Sequence, residues 1–299
     1  MATILINDHV NDELTQALEK NHIVINTHYT HELLIEKIQE VDVIVVKSKT
    51  KITKDILDAS MKTKKLKLII RAGVGLDNID LAYAKALGIQ VRNTPKASTN
   101  AVAELVLLYM LLMSRNIITA NQQMHQGIWD KSHFMGSELS GKTLGIIGLG
   151  KIGMRLAKMA EVFNMTIMYY DPFQTHAMYQ KVHLEVLLEQ SDFISLHLPS
   201  IGEPLIKKEH LIHIKKQPKI INLSRGDVIE EAFILEGLRS KKISHVALDV
   251  FRDEPNINAA FKSSENIYLS PHIGAQTIEA QQKISQEIVS MIHEVYNHA

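Results

Sequence analysis

Short continuous apolar runs alternate with amphipathic segments along the first hundred positions. The runs Thr3–Ile6, Ile23–Asn26, Val43–Val46, Leu66–Arg71 and Ile89–Asn93 are predicted strands. Between them Asn11–Lys20, Glu32–Glu40, Lys54–Ser60 and Leu81–Leu87 carry the pattern of helices with one apolar face. Strand–helix alternation with fully apolar strands predicts a parallel sheet covered on both faces.

The rhythm then breaks. Ser98 or Thr99 is a suitable cap for one long helix, predicted to run to about Gln126. A loop, Gly127–Gly141, holds the single tryptophan, and alternation restarts at Lys142 with the strand TLGIIG. Further strands are predicted at Thr166–Tyr170, Phe193–His197, Lys219–Leu223, His245–Val250 and Ile267–Leu269, before a polar helix at about Thr277–Asn297. The expected fold is α/β, with two Rossmann-like doubly wound parallel-sheet domains. The terminal helix follows the last strand without a linker, so it is expected to pack back on the first domain. The expected division is residues 1–96 plus 276–299, and residues 97–275.

Composition narrows the function. The 299 residues are 45% hydrophobic, enough for two cores. Lysine and arginine balance aspartate and glutamate, 33 against 33, which argues against nucleic acid as a partner. Cysteine is absent, which excludes disulfides, thiolate catalysis and cysteine-ligated metal, and fits a cytoplasmic protein. The N-terminus has no basic region followed by a long apolar stretch, so no signal peptide is expected. The most apolar run, Ala101–Met113, is interrupted by Glu104 and falls short of the ~20 residues of a membrane span. It is read as a buried helix, and no membrane association is expected.

The strand Leu144–Ile147 leads straight into Gly148-Leu-Gly150-Lys-Ile-Gly153 and then a predicted helix. Strand, glycine turn and helix form the setting in which GxGxxG binds a dinucleotide. Gly148 permits the tight turn, Gly150 lets backbone approach a pyrophosphate, and Gly153 lets helix and strand pack closely. The helix N-terminus offers free N–H groups to the phosphates. Asp171 ends the next strand, 18 residues after Gly153, where a carboxylate binds ribose hydroxyls and repels a 2′-phosphate. The expected cofactor is therefore NAD. The first domain has its own turn, Arg71-Ala-Gly73-Val-Gly75, without the third glycine because Asn78 occupies that place. Its free N–H groups suit a small anion such as a carboxylate.

Three residues complete a chemistry. Alcohol oxidation by hydride transfer needs a base, a cation that holds the substrate and polarises its carbonyl, and a group that orients the base. Arg225 and His272 follow the predicted strands KIINL and IYLS, so they fall at the strand C-termini where ligands of open parallel sheets bind. Arg225 supplies a planar fork for a carboxylate. Glu254, hydrogen-bonded to His272, fixes its tautomer. Neutral His272 removes a proton in oxidation, and the protonated form returns it in reduction. His210 and His213 stand three apart without supporting carboxylates, and no metal site is expected.

The segments RAGVGLDNID, GIQVRNTP, FMGSELSGKTLGIIGLGKIG, NLSRGDVI, ALDVFRDEP and SPHIGAQT occur in this order between about Val43 and Glu287. In this the chain resembles the D-isomer-specific 2-hydroxyacid dehydrogenases, and within them the phosphoglycerate branch. The resemblance implies an active-site cleft between the two domains and a homodimer built mainly through the nucleotide domains. It matches Arg225, Glu254 and His272 to the catalytic residues. Gly148, Gly150, Lys151, Ile152, Gly153, Asp171, Leu223, Ser224, Asp249, Gly274 and Ala275 match cofactor-binding positions, Asp249 standing near the nicotinamide amide. Val74 and Gly75 match the turn that holds the substrate carboxylate. Lys47, Arg71 and Lys131 are candidate cations for a substrate phosphate, although positions like Lys47 and Lys131 usually carry arginine in that branch. The chain looks like a short form without a C-terminal regulatory domain, so no serine feedback is expected. The expected reaction is NAD-dependent oxidation of D-3-phosphoglycerate to 3-phosphohydroxypyruvate, a phosphorylated 2-hydroxy acid being the small-molecule partner. The alternative is a glyoxylate, hydroxypyruvate or other 2-ketoacid reductase, and a third reading is an NAD-sensing corepressor.

Overall fold

A computed structural model describes residues 1–296 and places them in two compact units. Unit 1 comprises Met1–Ser98 and the chain from Ala275 onward; unit 2 comprises Thr99–Gly274.

Unit 1 begins with β1 (Thr3–Ile6), α1 (Asp12–Glu19), β2 (Ile23–Asn26), α2 (His31–Lys37), β3 (Val43–Val46), α3 (Lys54–Ser60), β4 (Leu68–Arg71), α4 (Leu81–Ala86) and β5 (Gln90–Asn93). The strands lie in the order β2-β1-β3-β4-β5, every neighbouring pair parallel. Side chains alternate across a strand. Ile4, Ile6, Val43, Val45, Leu68 and Ile70 therefore share one face, against Leu14 and Leu18 of α1. Leu5, Ile44, Val46 and Ile69 share the other, against Leu34, Ile56, Leu57 and Ala84 of α2, α3 and α4. Burial of both faces is why β3 reads as an uninterrupted VIVV. Asn11 starts α1 by accepting the Leu14 N–H, and Asp80 starts α4 by accepting that of Tyr83.

Unit 2 runs α5 (Thr99–Arg115), α6 (Ile117–His125), β6 (Thr143–Ile147), α7 (Lys151–Val162), β7 (Thr166–Tyr170), β8 (Gln180–Lys181), α8 (Leu184–Gln190), β9 (Phe193–Leu196), β10 (Lys219–Asn222), α9 (Glu231–Arg239), β11 (His245–Leu248), α10 (Ala259–Lys262) and β12 (Ile267–Leu269). Its sheet is parallel throughout, in the order β12-β11-β10-β9-β6-β7-β8. The order reverses at β6, which has β9 on one side and β7 on the other. Helices α5 and α7 cover one face through Val106, Met110, Leu156 and Ala160. Helices α8 and α9 cover the other through Leu187, Leu188, Phe233 and Ile234.

The last helix, α11 (Ile278–Tyr296), joins the first face of the unit 1 sheet. Its Ile284, Ile288 and Ile292 recur every four residues and are fully buried there beside α1. The expectation had carried this helix to Asn297, which lies outside the described residues.

The long helix expected from Ser98 to Gln126 is corrected. It breaks at Asn116, whose φ of 47° is left-handed, and α5 and α6 meet at a bend of 64°. Asparagine adopts that conformation at low cost, which gives the chain a stop without glycine or proline. Among the described residues no single helix is long and apolar enough to cross a membrane.

Candidate active site

The turn after β6 sits at the reversal of strand order, the place where open α/β sheets bind ligands. Gly148 has φ 91°, a region that side chains rarely enter, and its N–H donates to Tyr170 O at 2.9 Å. A Cβ at Gly148 would lie 2.6 Å from the His197 carbonyl oxygen, and one at Gly153 2.4 Å from that of Gly148. These two glycines therefore serve close packing. Gly150 differs: a Cβ there would meet only open space. That is where a pyrophosphate would approach the backbone. Gly150 precedes the first turn of α7, and the N–H groups of Lys151 and Ile152 follow it, unused within the helix. This cradle fits a dinucleotide.

Asp171 closes the same turn. It is buried, with Oδ2 accepting the Leu149 N–H at 3.0 Å and Oδ1 accepting those of Phe173 and Gln174 at 2.9 and 3.0 Å. Its carboxylate thus ties the glycine turn to the end of β7. The neighbouring His197 is half-buried, and burial pushes its imidazole down to about 4, so it is neutral near pH 7. The Ser195 hydroxyl lies 2.9 Å from its Nε2.

Three loops at the C-terminal ends of β10, β11 and β12 form the second half of the site. Buried Asn222 shapes the first: its Oδ1 accepts the Ser224 N–H and hydroxyl, and its Nδ2 donates to Arg225 O at 2.8 Å. Leu223 is consequently turned into the core and Ser224 is buried, while the Arg225 guanidinium curls over the loop, its Nη1 donating to Ser224 O. Glu254 lies in the loop after β11. Its Oε1 accepts the Phe251 N–H at 3.0 Å, and its Oε2 lies 2.8 Å from Nδ1 of His272. Burial raises the Glu254 carboxyl, but the hydrogen bonds from His272 and Phe251, with the charges of His272 and Arg225, outweigh it and hold the group below its usual value. Glu254 is therefore ionised at neutral pH, and Nδ1 of His272 carries the hydrogen between them. Nε2 is the ring nitrogen turned away from Glu254.

His272 occupies a left-handed conformation, φ 53°, in the turn after β12. The buried Asp249 holds that turn. Its Oδ1 accepts from the Ser270 hydroxyl and the Ile273 N–H, and its Oδ2 accepts the Gly274 N–H. Ser270 in turn accepts from the Tyr109 hydroxyl at 2.7 Å. Sequence reasoning missed Ser270, Tyr109, Asn222 and the Phe251 amide. Ser270 stood inside SPHIGA, and Tyr109 is the only aromatic residue of α5.

The remaining candidates belong elsewhere. In unit 1, a Cβ at Gly73 would fall 1.4 Å from Arg71 Nη1, so the guanidinium lies against the glycine turn. Val74 is exposed and Gly75 half-buried. Burial lowers the Lys47 ammonium below its ordinary value; the Asp8 carboxylate opposes this and the Arg71 charge adds to it. Lys47 Nζ donates to Gln281 Oε1, and Gln281 Nε2 donates to Ala275 O. In unit 2, Lys131 is exposed in the loop after α6. His210 caps its own 3-10 turn, Nδ1 accepting the Lys207 N–H. Among the described residues no three His, Asp or Glu side chains gather as a metal cluster would.

A glycine cradle at the switch point, with arginine, glutamate and histidine on the same sheet edge, defines a dinucleotide-binding oxidoreductase. Comparison with known proteins gives the family. Residues 107–274 match the model of the D-isomer specific 2-hydroxyacid dehydrogenase, NAD binding domain. The hydroxypyruvate reductase of Thermotoga maritima is 43% identical over 296 residues, covering 96% of both chains. The D-3-phosphoglycerate dehydrogenase of Methanocaldococcus jannaschii is 40% identical over 304 residues, and the match spans 99% of this chain but 57% of that protein. A solved NADPH-dependent glyoxylate/hydroxypyruvate reductase from Sinorhizobium meliloti, in complex with NADP and malonate, superposes with a TM-score of 0.88 at 26% identity, covering 98% and 93% of the two chains. The chain belongs to the D-isomer specific 2-hydroxyacid dehydrogenases. The first expectation within the family, phosphoglycerate, is not singled out, since named relatives divide between two substrates.

Proposed function

We propose that this protein reduces a small 2-ketoacid of the glyoxylate or hydroxypyruvate class, with NADH. The chemistry rests on one observation, the 2.8 Å contact of Glu254 with Nδ1 of His272 on the sheet edge that carries Arg225. A nicotinamide dinucleotide, held by the Gly148–Gly153 turn, Lys151, Ile152 and Asp171, supplies the hydride when bound. Arg225 grips the substrate carboxylate and polarises the ketone. His272 delivers a proton from Nε2 to the ketone oxygen, and Glu254 stabilises the imidazolium that precedes the transfer. In the reverse direction Nε2 takes the hydroxyl proton. In this reading residues 97–275 handle the cofactor, and residues 1–96 with 276–299 handle the substrate. The N–H groups of Val74 and Gly75, with the Arg71 guanidinium, suit a small anion of the carboxylate class.

The full-length likeness to a hydroxypyruvate reductase supports the substrate class. Oxidation of D-3-phosphoglycerate is the second reading, favoured by the adjacent cations Lys47 and Arg71. Lys47 already donates to Gln281, a bond it would have to give up to meet a phosphate. NADH oxidation with glyoxylate, hydroxypyruvate, pyruvate and 3-phosphohydroxypyruvate separates the readings. Glyoxylate or hydroxypyruvate should be used at least as well as the phosphorylated acid. A hundredfold preference for 3-phosphohydroxypyruvate, about 2.7 kcal/mol in the transition state, would move the protein to the phosphoglycerate branch. Asp171 favours NADH over NADPH by repelling a 2′-phosphate, and parallel assays with both test this. The proposed partner is a second copy of the chain. Helix α6 has no buried residue and leaves Ile117, Ile118 and Met124 exposed, next to exposed Trp129. Sedimentation at the monomer mass would remove this part of the reading.

A further inference from the structure

Helix α5 is an apolar helix whose buried stripe includes Val102, Val106, Met110 and Met113. Tyr109 lies in that stripe, 6% exposed. A phenol in a core is unfavourable unless its hydroxyl is bonded, and its acceptor, Ser270 Oγ, lies 161 residues away in sequence. The Ser270 hydroxyl has one hydrogen, and it goes to Asp249 Oδ1 at 2.5 Å. The direction of the relay is thereby fixed: Tyr109 donates to Ser270, and Ser270 donates to Asp249. Asp249 then accepts the N–H groups of Ile273 and Gly274, the two residues after His272. The His272 N–H itself donates to Ser270 O at 3.1 Å. His272 is thus bracketed on both sides by groups whose orientation the relay sets, and it needs such bracketing because its backbone is left-handed.

We propose that Tyr109 is a positioning residue for His272, acting from α5 through Ser270 and Asp249 to hold the histidine turn in its proton-transfer orientation. It is the only member of the relay outside the segments Asp249–Phe251 and Ser270–Gly274. Removing its hydroxyl leaves the Ser270 oxygen without its donor and frees that hydroxyl to rotate away from Asp249. Burial raises the phenol above its ordinary value; the Ser270 bond opposes this and the Asp249 charge adds to it, so Tyr109 remains a donor at neutral pH. Geometry for proton transfer tolerates little displacement, so loss of this constraint acts on the chemical step more than on cofactor affinity.

The proposal rests on the reductase reading, and its test separates the two. In Tyr109→Phe, kcat for 2-ketoacid reduction should fall about tenfold, with KM for NADH within twofold. Tyr109→Met, which also lacks the hydroxyl but fills the space differently, should show the same fall. A fall that differs between the two in step with their Tm would be a packing effect and would overturn the proposal. Ser270→Ala should lower kcat at least as far, and adding Tyr109→Phe to it should cost nothing more, because the relay is already cut. Additive losses, or a wild-type rate in Tyr109→Phe, would overturn it. If the unmodified protein reduces no 2-ketoacid, the reductase reading fails by itself. The positioning is then decided by histidine-labelled NMR. The His272 ring signal, identified by its absence in His272→Gln, should shift in Tyr109→Phe. It should stay in place in Tyr179→Phe, the same change at a tyrosine that lies just before β8 and is no part of the relay. An unshifted signal would overturn the proposal.

Discussion

Replacing Glu254 by glutamine changes one atom and tests the acid–base assignment most directly. In the native loop Oε1 accepts the Phe251 N–H and Oε2 faces Nδ1 of His272. A glutamine can keep the first bond only by turning its oxygen toward Phe251. Its amide NH2 then faces Nδ1, which must become the acceptor, and the ring proton moves to Nε2. Nε2 then has no lone pair for a substrate proton. Turning the amide over sets NH2 against the Phe251 N–H instead, so either arrangement carries a loss. A hydrogen bond to a charged group is worth ~1.5–3 kcal/mol. Expressed wholly in the step that charges His272, that is roughly a 10- to 150-fold fall in kcat. The assay is kcat against pH, in both directions, with thermal unfolding recorded alongside. A Glu254→Gln enzyme with kcat within twofold of the parent in both directions would refute the assignment.

Other outcomes follow from packing and burial. Gly153→Ala sets a Cβ 2.4 Å from the Gly148 carbonyl oxygen, a backbone atom that cannot yield without moving the cradle, so NADH affinity in a fluorescence titration should drop tenfold or more. Ile288→Ala empties a fully buried position between α11 and the unit 1 sheet and should cost ~2–5 kcal/mol in urea unfolding. His197 is depressed to about 4 by burial, so below the unfolded value of ~6.5 the unfolded chain binds a proton that the folded chain refuses. Stability should therefore fall as pH drops from about 6.5 to about 4, by roughly 3 kcal/mol from this residue. His197→Asn should lose less stability over that window than the parent, and equal losses in urea titrations would contradict the burial argument.

Much of the fold was legible because hydrophobic patterning is local. Lys54–Ser60, Val43–Val46 and Thr166–Tyr170 fall at the expected residues, since each is a single run with its own apolar pattern and polar residues at its ends. The break at Asn116 was not legible. The apolar run Ala101–Met113 stops just before it, but a helix can continue as its exposed part turns polar, and asparagine marks a left-handed residue only when the surrounding packing asks for one. Strand β8 was missed because two residues, Gln180 and Lys181, carry no period. Within the site, Glu254 and His272 were read from the DEP and SPHIGA segments, and the structure sets them in contact. The support beneath them was hidden for a different reason. Tyr109 and Ser270 share no segment, and their hydrogen bond exists only because α5 packs on the sheet that ends in β12.

Substrate choice was hidden in another way. Counting cations along the chain treats Lys47, Arg71 and Lys131 as equals, but their surroundings differ. Lys47 is partly desolvated and bonded to Gln281, Arg71 lies over the glycine turn, and Lys131 stands in water. Lys47 can meet a distal phosphate only by giving up its bond to Gln281. The Arg71 guanidinium lies against the glycine turn, and under the reductase reading its planar fork would act beside the Val74 and Gly75 N–H groups. The reductase reading therefore gives Lys47 no part in substrate binding. Lys47→Met then discriminates sharply. Under the reductase reading KM for hydroxypyruvate should change less than threefold. A tenfold or larger rise confined to 3-phosphohydroxypyruvate would mean that Lys47 abandons Gln281 for substrate, and that the second reading is the right one.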